Sequence, residues 1–247
     1  MTRLSDKTAV VTGGGRGLGS AISTALAAEG AHVLVVDRNR EAADVVVAGI
    51  KAARGSAAAE TLDISDRKGV KAFGGRMLDQ YGTIDVLVNN AGIAPRIRPN
   101  DPDQAEKWDQ VIDVNLTAQW DITVALLPAL QHAGASVIFL SSIAGFTAPR
   151  SSAAYGASKA AVRSLVQYFA RTLGPTGGRA NGLAPGRIKS DLMTVEGVAG
   201  EKFLQRLPMG RVGETDEIAG PAVFLASDMS SYVTGVTIPV DGGYLAL

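Results

Sequence analysis

Residues 7–19 read Lys7-Thr8-Ala9-Val10-Val11-Thr12-Gly13-Gly14-Gly15-Arg16-Gly17-Leu18-Gly19, and the chain continues as LGSAISTALAAE from Leu18 to Glu29. The apolar, β-branched run before Gly13 predicts a short buried strand, and apolar residues at three- and four-residue spacing after Leu18 predict an amphipathic helix. Glycines at such a junction let the backbone turn tightly and approach a pyrophosphate, while the helix start offers unpaired N–H groups and a positive dipole end. A glycine cluster elsewhere would say little; between the first strand and the first helix it points to a dinucleotide. About 20 residues downstream, closing the next apolar run, stands Asp37, whose carboxylate can accept from both adenosine ribose hydroxyls and would repel a 2′-phosphate. Gly13, Arg16, Gly17, Leu18, Gly19, Asp37 and Arg38 are therefore candidate cofactor residues, and NAD is favoured over NADP. Arg16 and Arg38 are the cations that work against that preference.

The same alternation continues outward from this junction. Residues 31–36, 57–62, 84–89, 135–141 and 236–240 read as strands, and 66–81, 104–131 and 153–174 as helices. Near-continuous apolar strands separated by helical crossovers predict a parallel sheet covered on both faces, a Rossmann-type doubly wound α/β fold. No linker divides the pattern, and its last strand arrives only at 236–240, so residues 1–247 read as a single domain. The stretch of about 187–213, with Pro208 and several glycines, breaks the pattern and reads as a substrate-binding insert or lid.

Composition removes several function classes. The 24 basic and 24 acidic side chains cancel, so the basic footprint of a nucleic-acid binder is missing. Without cysteine the chain has no disulfide, iron–sulfur cluster or thiolate-held zinc. His32 and His132 read as structural, so no metal site is expected. The first apolar run is too short for a signal peptide or a membrane span, which predicts a cytoplasmic protein without a membrane partner.

Tyr155 and Lys159 are four residues apart in a predicted helix, which sets them on one face. A free phenol titrates near ~10, and an adjacent ammonium favours its phenolate. Tyr155 can then act as the acid/base at a reacting oxygen.

With Thr12, Gly13, Gly17 and Gly19, the pair Asp63-Ile64, the turn Asn89-Asn90-Ala91-Gly92, Asn115, Ser142 thirteen residues before Tyr155, Lys159, Pro185-Gly186, Ser190 and Asp241-Gly242-Gly243, the chain resembles the short-chain dehydrogenase/reductase family over nearly its whole length. The resemblance implies hydride transfer between a secondary alcohol and a ketone. In it Tyr155 moves the proton, Lys159 binds the nicotinamide ribose, Ser142 holds the substrate oxygen and Asn115 completes a proton relay through water. Ser141, its strand neighbour, should point to the opposite side. It further implies that Asp63 and Ile64 flank the adenine, that Asn89, Ala91 and Gly92 line the cofactor cleft, and that Pro185, Gly186, Ile188 and Ser190 meet the nicotinamide. Two departures are Ser190, where threonine is usual, and Ala180 after Gly177-Gly178 in place of valine.

The substrate, a small alcohol or ketone such as a polyol, sugar, hydroxy acid, cyclic or aryl alcohol, is expected against Ser142, Ala144, Arg150, Tyr155 and Arg187, with Ala94, Pro95 and Phe146 nearby. Arg96, Arg98, Arg150, Arg187 and Lys189 give this rim a basic character suited to an anionic group. A homotetramer is implied, packed through the helices near 104–131 and 153–174. Two other readings share the residues: a 3-oxoacyl-(acyl-carrier-protein) reductase using NADPH, against which Asp37 argues, and a non-catalytic dinucleotide sensor.

Overall fold

The computed structural model describes residues 3–148, 152–189 and 204–246. They form strands β1 (Thr8–Thr12), β2 (His32–Asp37), β3 (Ser56–Thr61), β4 (Val86–Asn89), β5 (Ser136–Leu140), β6 (Arg179–Pro185) and β7 (Thr237–Val240). The helices are α1 (Gly17–Ala28), α2 (Arg40–Ala52), α3 (Arg67–Tyr81), α4 (Gln104–Ile112), α5 (Ala118–Leu130), α6 (Ala153–Leu173) and α7 (Asp216–Ala226). All seven strands lie in one sheet of order β3-β2-β1-β4-β5-β6-β7, and every neighbouring pair is parallel. This is the doubly wound Rossmann-type architecture that the sequence predicts.

Alternation along the strands divides the core into two layers. Ala9, Val11, Val33 and Val35 pack with Ile22 and Leu26 of α1, Ile50 of α2 and Ile218 of α7. Val10, Leu34 and Val36 face the other way, onto Phe73 and Met77 of α3, Ile122 and Leu126 of α5, and Val162, Val166 and Phe169 of α6. With both faces covered, the central strands are apolar at nearly every position. Chain order reverses between β1 and β4, and at such a switch point the carboxyl ends of the strands part to leave a crevice.

The structure departs from the expected elements in three places. The predicted helix 104–131 is interrupted by a π-helical turn at Asp113–Thr117. Helices α2 and α7 supply crossovers that the pattern left unassigned. Residues 179–185 form a fully buried strand, β6, although Ala180, Gly182 and Ala184 are poor strand formers. Their smallness is what the packing demands: a Cβ on Gly182 would lie 2.6 Å from Oγ1 of Thr237 on β7. Arg179 closes the strand's first end from within, donating to the carbonyls of Leu225 (2.9 Å) and Ser227 (3.2 Å) at the end of α7.

Candidate active site

The crevice begins at the glycine loop. Thr12 Oγ1 accepts from the N–H groups of Asn90 (3.1 Å) and Ala91 (3.2 Å), and Asn90 Nδ2 donates to the carbonyls of Thr12 (2.9 Å) and Gly13 (3.0 Å). The end of β1 is thereby latched to the turn after β4. Gly13 has φ +62°, and a Cβ there would press on Ala91 Cα at 2.9 Å; a Cβ on Gly19 would overlap the Gly13 carbonyl. Gly17 also has positive φ (+54°), yet a Cβ built on it meets nothing within 4 Å, so the loop opens there into a free cradle. Arg16, the N-cap of α1, gives no side-chain bond to the first turn, leaving its N–H groups available to an anion. Asp37 sits beside this loop, accepting from Gly15 N–H at 3.0 Å and Asn39 N–H at 2.9 Å. An open cradle, an uncapped helix start and an adjacent carboxylate together fit a dinucleotide.

Asp63 accepts from the backbone and hydroxyl of Ser65 (2.9 and 2.7 Å). Those bonds, with a smaller contribution from the Arg38 charge, hold its carboxyl below the ordinary range. Ile64 is packed into the core against the α3 layer.

A cleft of about 270 Å³ lies between this loop and the ends of β5 and β6, and Ser142, Tyr155 and Lys159 all line it, with Leu18, Gly92, Pro185, Gly186 and Ile188. Tyr155 is hydrogen-bonded to Ser142; burial raises its phenol above the ordinary value and that bond opposes the rise in part. Lys159 Nζ donates to the Leu140 carbonyl at 2.7 Å and lies 5.8 Å from the Tyr155 ring centre. Burial lowers this ammonium to about 8. The net direction at Tyr155 is thus opposite to the lowering that the four-residue spacing suggests, because desolvation of the phenol outweighs what favours its phenolate.

Asn115 owes its place to the π turn. Its Oδ1 accepts from Ile93 N–H and its Nδ2 donates to the Ile93 carbonyl, both at 2.8 Å, and a Cβ on Gly92 would meet Asn115 Oδ1 at 3.2 Å and Lys159 Nζ at 3.5 Å. Asn115 and Lys159 therefore both lie close to the same glycine. Ser141 turns away from Ser142 and donates its Oγ–H to the backbone carbonyl of Lys159 at 2.8 Å. Gly145 leaves no room for a Cβ against the same peptide, so the turn after β5 lies tight on α6 at Lys159.

Other expected residues lie elsewhere. Asn89 is fully buried and its Nδ2 donates to Thr123 Oγ1 at 2.8 Å; Asn90, one residue on, is the asparagine that lines the cleft. Arg187 borders a smaller neighbouring pocket with Arg211, Glu217 and Asp241. Ala144 donates its N–H to Ser142 Oγ at 3.1 Å without reaching the cleft wall. Arg150, Ser190 and the middle of the expected lid, 190–203, fall outside the described residues. Thr215, at the start of α7, lines the cleft although no motif marks it.

No helix among the described residues is long and apolar enough to cross a membrane. The family model described as enoyl-(acyl carrier protein) reductase matches residues 13–245. The trans-4-hydroxycyclohexanecarboxylate dehydrogenase of Sinomonas cyclohexanicum is 36% identical over 251 residues, covering 99% of this chain and 95% of that protein. A 3-oxoacyl-(acyl-carrier-protein) reductase of Thermotoga maritima is 36% identical, covering 98% of both. Among solved structures, a gluconate 5-dehydrogenase from Burkholderia cenocepacia in complex with NADP and tartrate superposes with TM-score 0.92 at 33% identity, over 100% of this chain and 98% of that one. With its parallel sheet, its glycine loop and a nicotinamide-dinucleotide site shared with such relatives, the chain belongs to the short-chain dehydrogenase/reductase family of oxidoreductases.

Proposed function

We propose that the protein is an NAD-dependent dehydrogenase that interconverts a secondary alcohol and its ketone, with Tyr155 as the acid/base. The observation that carries this reading is the meeting of Tyr155, Ser142 and Lys159 in one cleft, next to a glycine loop and Asp37. Gly13, Gly17, Leu18 and Gly19 hold the pyrophosphate, Asp37 the adenosine ribose, and Lys159 the nicotinamide ribose. Asp63, Ile64, Ala91 and Gly92 bound the dinucleotide along its length, with Pro185, Gly186 and Ile188 at the nicotinamide end. The bound nicotinamide supplies or takes the hydride. Ser142 donates to the substrate oxygen where negative charge develops during reduction. Tyr155 gives that oxygen its proton, or removes it in oxidation. With its phenol raised by burial, Tyr155 holds its proton at neutral pH, which suits reduction and makes oxidation accelerate with rising pH. Asn115 and Lys159, both close to Gly92, form the route by which the proton reaches water.

Asp37 supports NAD, since a 2′-phosphate would meet its carboxylate. The second reading, an NADPH-linked ketone reductase, draws on the NADP-bound gluconate dehydrogenase and the Thermotoga reductase together with Arg16 and Arg38. We further propose a cytoplasmic enzyme, where the free dinucleotide pool lies, assembled as a homotetramer. Trp108, Trp120, Val124 and Tyr168 are exposed on α4, α5 and α6, with the Trp120 and Tyr168 rings 5.4 Å apart. An apolar face of this kind is suited to burial between subunits.

The deciding experiment follows NADH and NADPH absorbance across polyols, hydroxy acids, cyclic alcohols and aryl alcohols, with wild type and Tyr155→Phe. NAD-linked turnover that Tyr155→Phe abolishes, with NAD binding retained, is the expected result. Undiminished turnover in Tyr155→Phe overturns the proposed role, and NAD binding without turnover on any substrate leaves a sensor.

A further inference from the structure

The sequence carries five basic residues around the substrate side, and the structure separates the four that it describes. Arg96 and Arg98 are exposed and do not line the cleft, and Arg187 borders the neighbouring pocket of about 80 Å³. Arg150 lies outside the described residues. Among the described four, Lys189 is the one found in the wall of the reaction cleft, along with Ser142 and Tyr155.

Three observations give Lys189 a chemistry. Its backbone is fixed, with its N–H donating to the Gly213 carbonyl at 2.8 Å and Gly213 N–H donating to Arg187 O at 3.0 Å; the adjacent Ile188 pairs with Gly213 in a parallel bridge. Among the described residues its ammonium has one weak ionic partner, Nζ standing 3.5 Å from Glu214 Oε1, with 66% and 57% of the two side chains exposed. A charge-assisted bond of full strength is shorter, and exposed pairs of this kind are readily exchanged. Finally, the described residues of the cleft wall include no acidic side chain and two lysines, of which Lys159 is already bound to the Leu140 carbonyl.

We propose that the substrate carries a carboxylate remote from its reacting carbon, and that Lys189 binds it in exchange for Glu214. This rests on the reading of the cleft as an alcohol/ketone site. Glu214 stands on Lys189 as an internal carboxylate, which the substrate's own group replaces. The group that replaces the Glu214 carboxylate is a carboxylate of the same charge, held by a single ammonium acting as a point charge. The substrate class is then a hydroxy acid and its keto acid, with the carboxylate unchanged by the reaction.

The test compares ring and open-chain hydroxy acids with their methyl esters, in wild type, Lys189→Met and Glu214→Gln, and measures NADH affinity by fluorescence. The expected result is a wild-type preference for acid over ester in kcat/KM that falls roughly 10-fold or more in Lys189→Met, mainly through KM. That preference should rise in Glu214→Gln. Wild-type turnover of neutral alcohols but not of acids overturns the carboxylate and leaves the alcohol reading intact. A preference unchanged in Lys189→Met, or a matching loss of NADH affinity that assigns the lysine to the cofactor's phosphates, also overturns it. No turnover of acid or neutral alcohol with NAD bound refutes the underlying reaction and the substrate class together.

Discussion

Adding a single methyl group at Gly145 should damage catalysis without touching a reacting atom. A Cβ there would stand 2.7 Å from both the carbon and the oxygen of the Lys159 carbonyl and 3.0 Å from Ala160 N. All three are backbone, so no side chain can swing aside. To regain the 3.4 Å at which ordinary contact begins, α6 must retreat by about 0.7 Å. The retreat pulls against the Ser141-to-Lys159 bond (2.8 Å), the Lys159-to-Leu140 bond (2.7 Å) and the Arg163 Nη1 bond to the Gly145 carbonyl (3.0 Å). Overpacking of this kind costs about 1–3 kcal/mol, which for a chain of this size lowers Tm by roughly 2–4 °C per kcal/mol. Lys159 is on the displaced peptide and Tyr155 is one turn away, and misplacement by about 1 Å costs up to ~100-fold in rate. Gly145→Ala should therefore lose roughly 10-fold or more in kcat and weaken NADH binding while remaining folded. Calorimetry, NADH titration and steady-state rates on one preparation read all three. Wild-type Tm and kcat in the variant would refute the tight approach between the turn after β5 and α6.

Neighbouring glycines in α3 should respond in opposite directions: Gly75 faces open space, whereas a Cβ on Gly74 would overlap the Ala125 carbonyl of α5. In urea unfolding, Gly75→Ala should add about 0.5–1 kcal/mol and Gly74→Ala remove about 1–3 kcal/mol; shifts of the same sign would contradict the α3–α5 packing. Lys159 offers a pH test, since burial holds it at about 8 against an ordinary 10.5. Between those values the unfolded chain binds more protons, so the group's penalty is complete below about pH 8 and fades as pH climbs toward 10.5. The Tm of wild type relative to Lys159→Met should accordingly rise from pH 7 to pH 9.5, and a flat difference would count against a buried ammonium. Asp37→Ala should shift the NAD-to-NADP ratio of kcat/KM toward NADP by roughly 10-fold or more; an unchanged ratio removes Asp37 from cofactor choice.

The parts of this molecule that were legible in its sequence are those in which one local pattern fixes one local geometry. Val10 and Val11 before Gly13 announce a buried strand entering a tight turn, and Tyr155 and Lys159 announce a shared helix face. Features set by partners distant in the chain were not legible. Asn89 and Asn90 are identical side chains on alternate sides of one strand end, and the burial of one against Thr123 decides which of them lines the cleft. β6 is built from small residues because β7 approaches so closely, so strand propensity says little there. Pro221 within α7 hides a helix whose N-cap, Thr215, lines the cleft, and that placement depends on packing against α1 and β5. Spacing alone suggests that Lys159 favours the Tyr155 phenolate, while desolvation, which needs the assembled fold, sets the net direction.

The π turn at Asp113–Thr117 means that the long segment from Gln104 to Leu130 holds one residue more than a regular coil would need. A π turn absorbs such an extra residue by widening locally inside the helix, so deleting a single codon there would let the turn close into regular coil with α4 and α5 left in line. The shortened chain would gain conventional backbone bonding and lose the alignment of Asn115 with Ile93. Here the more regular molecule would be the less capable one.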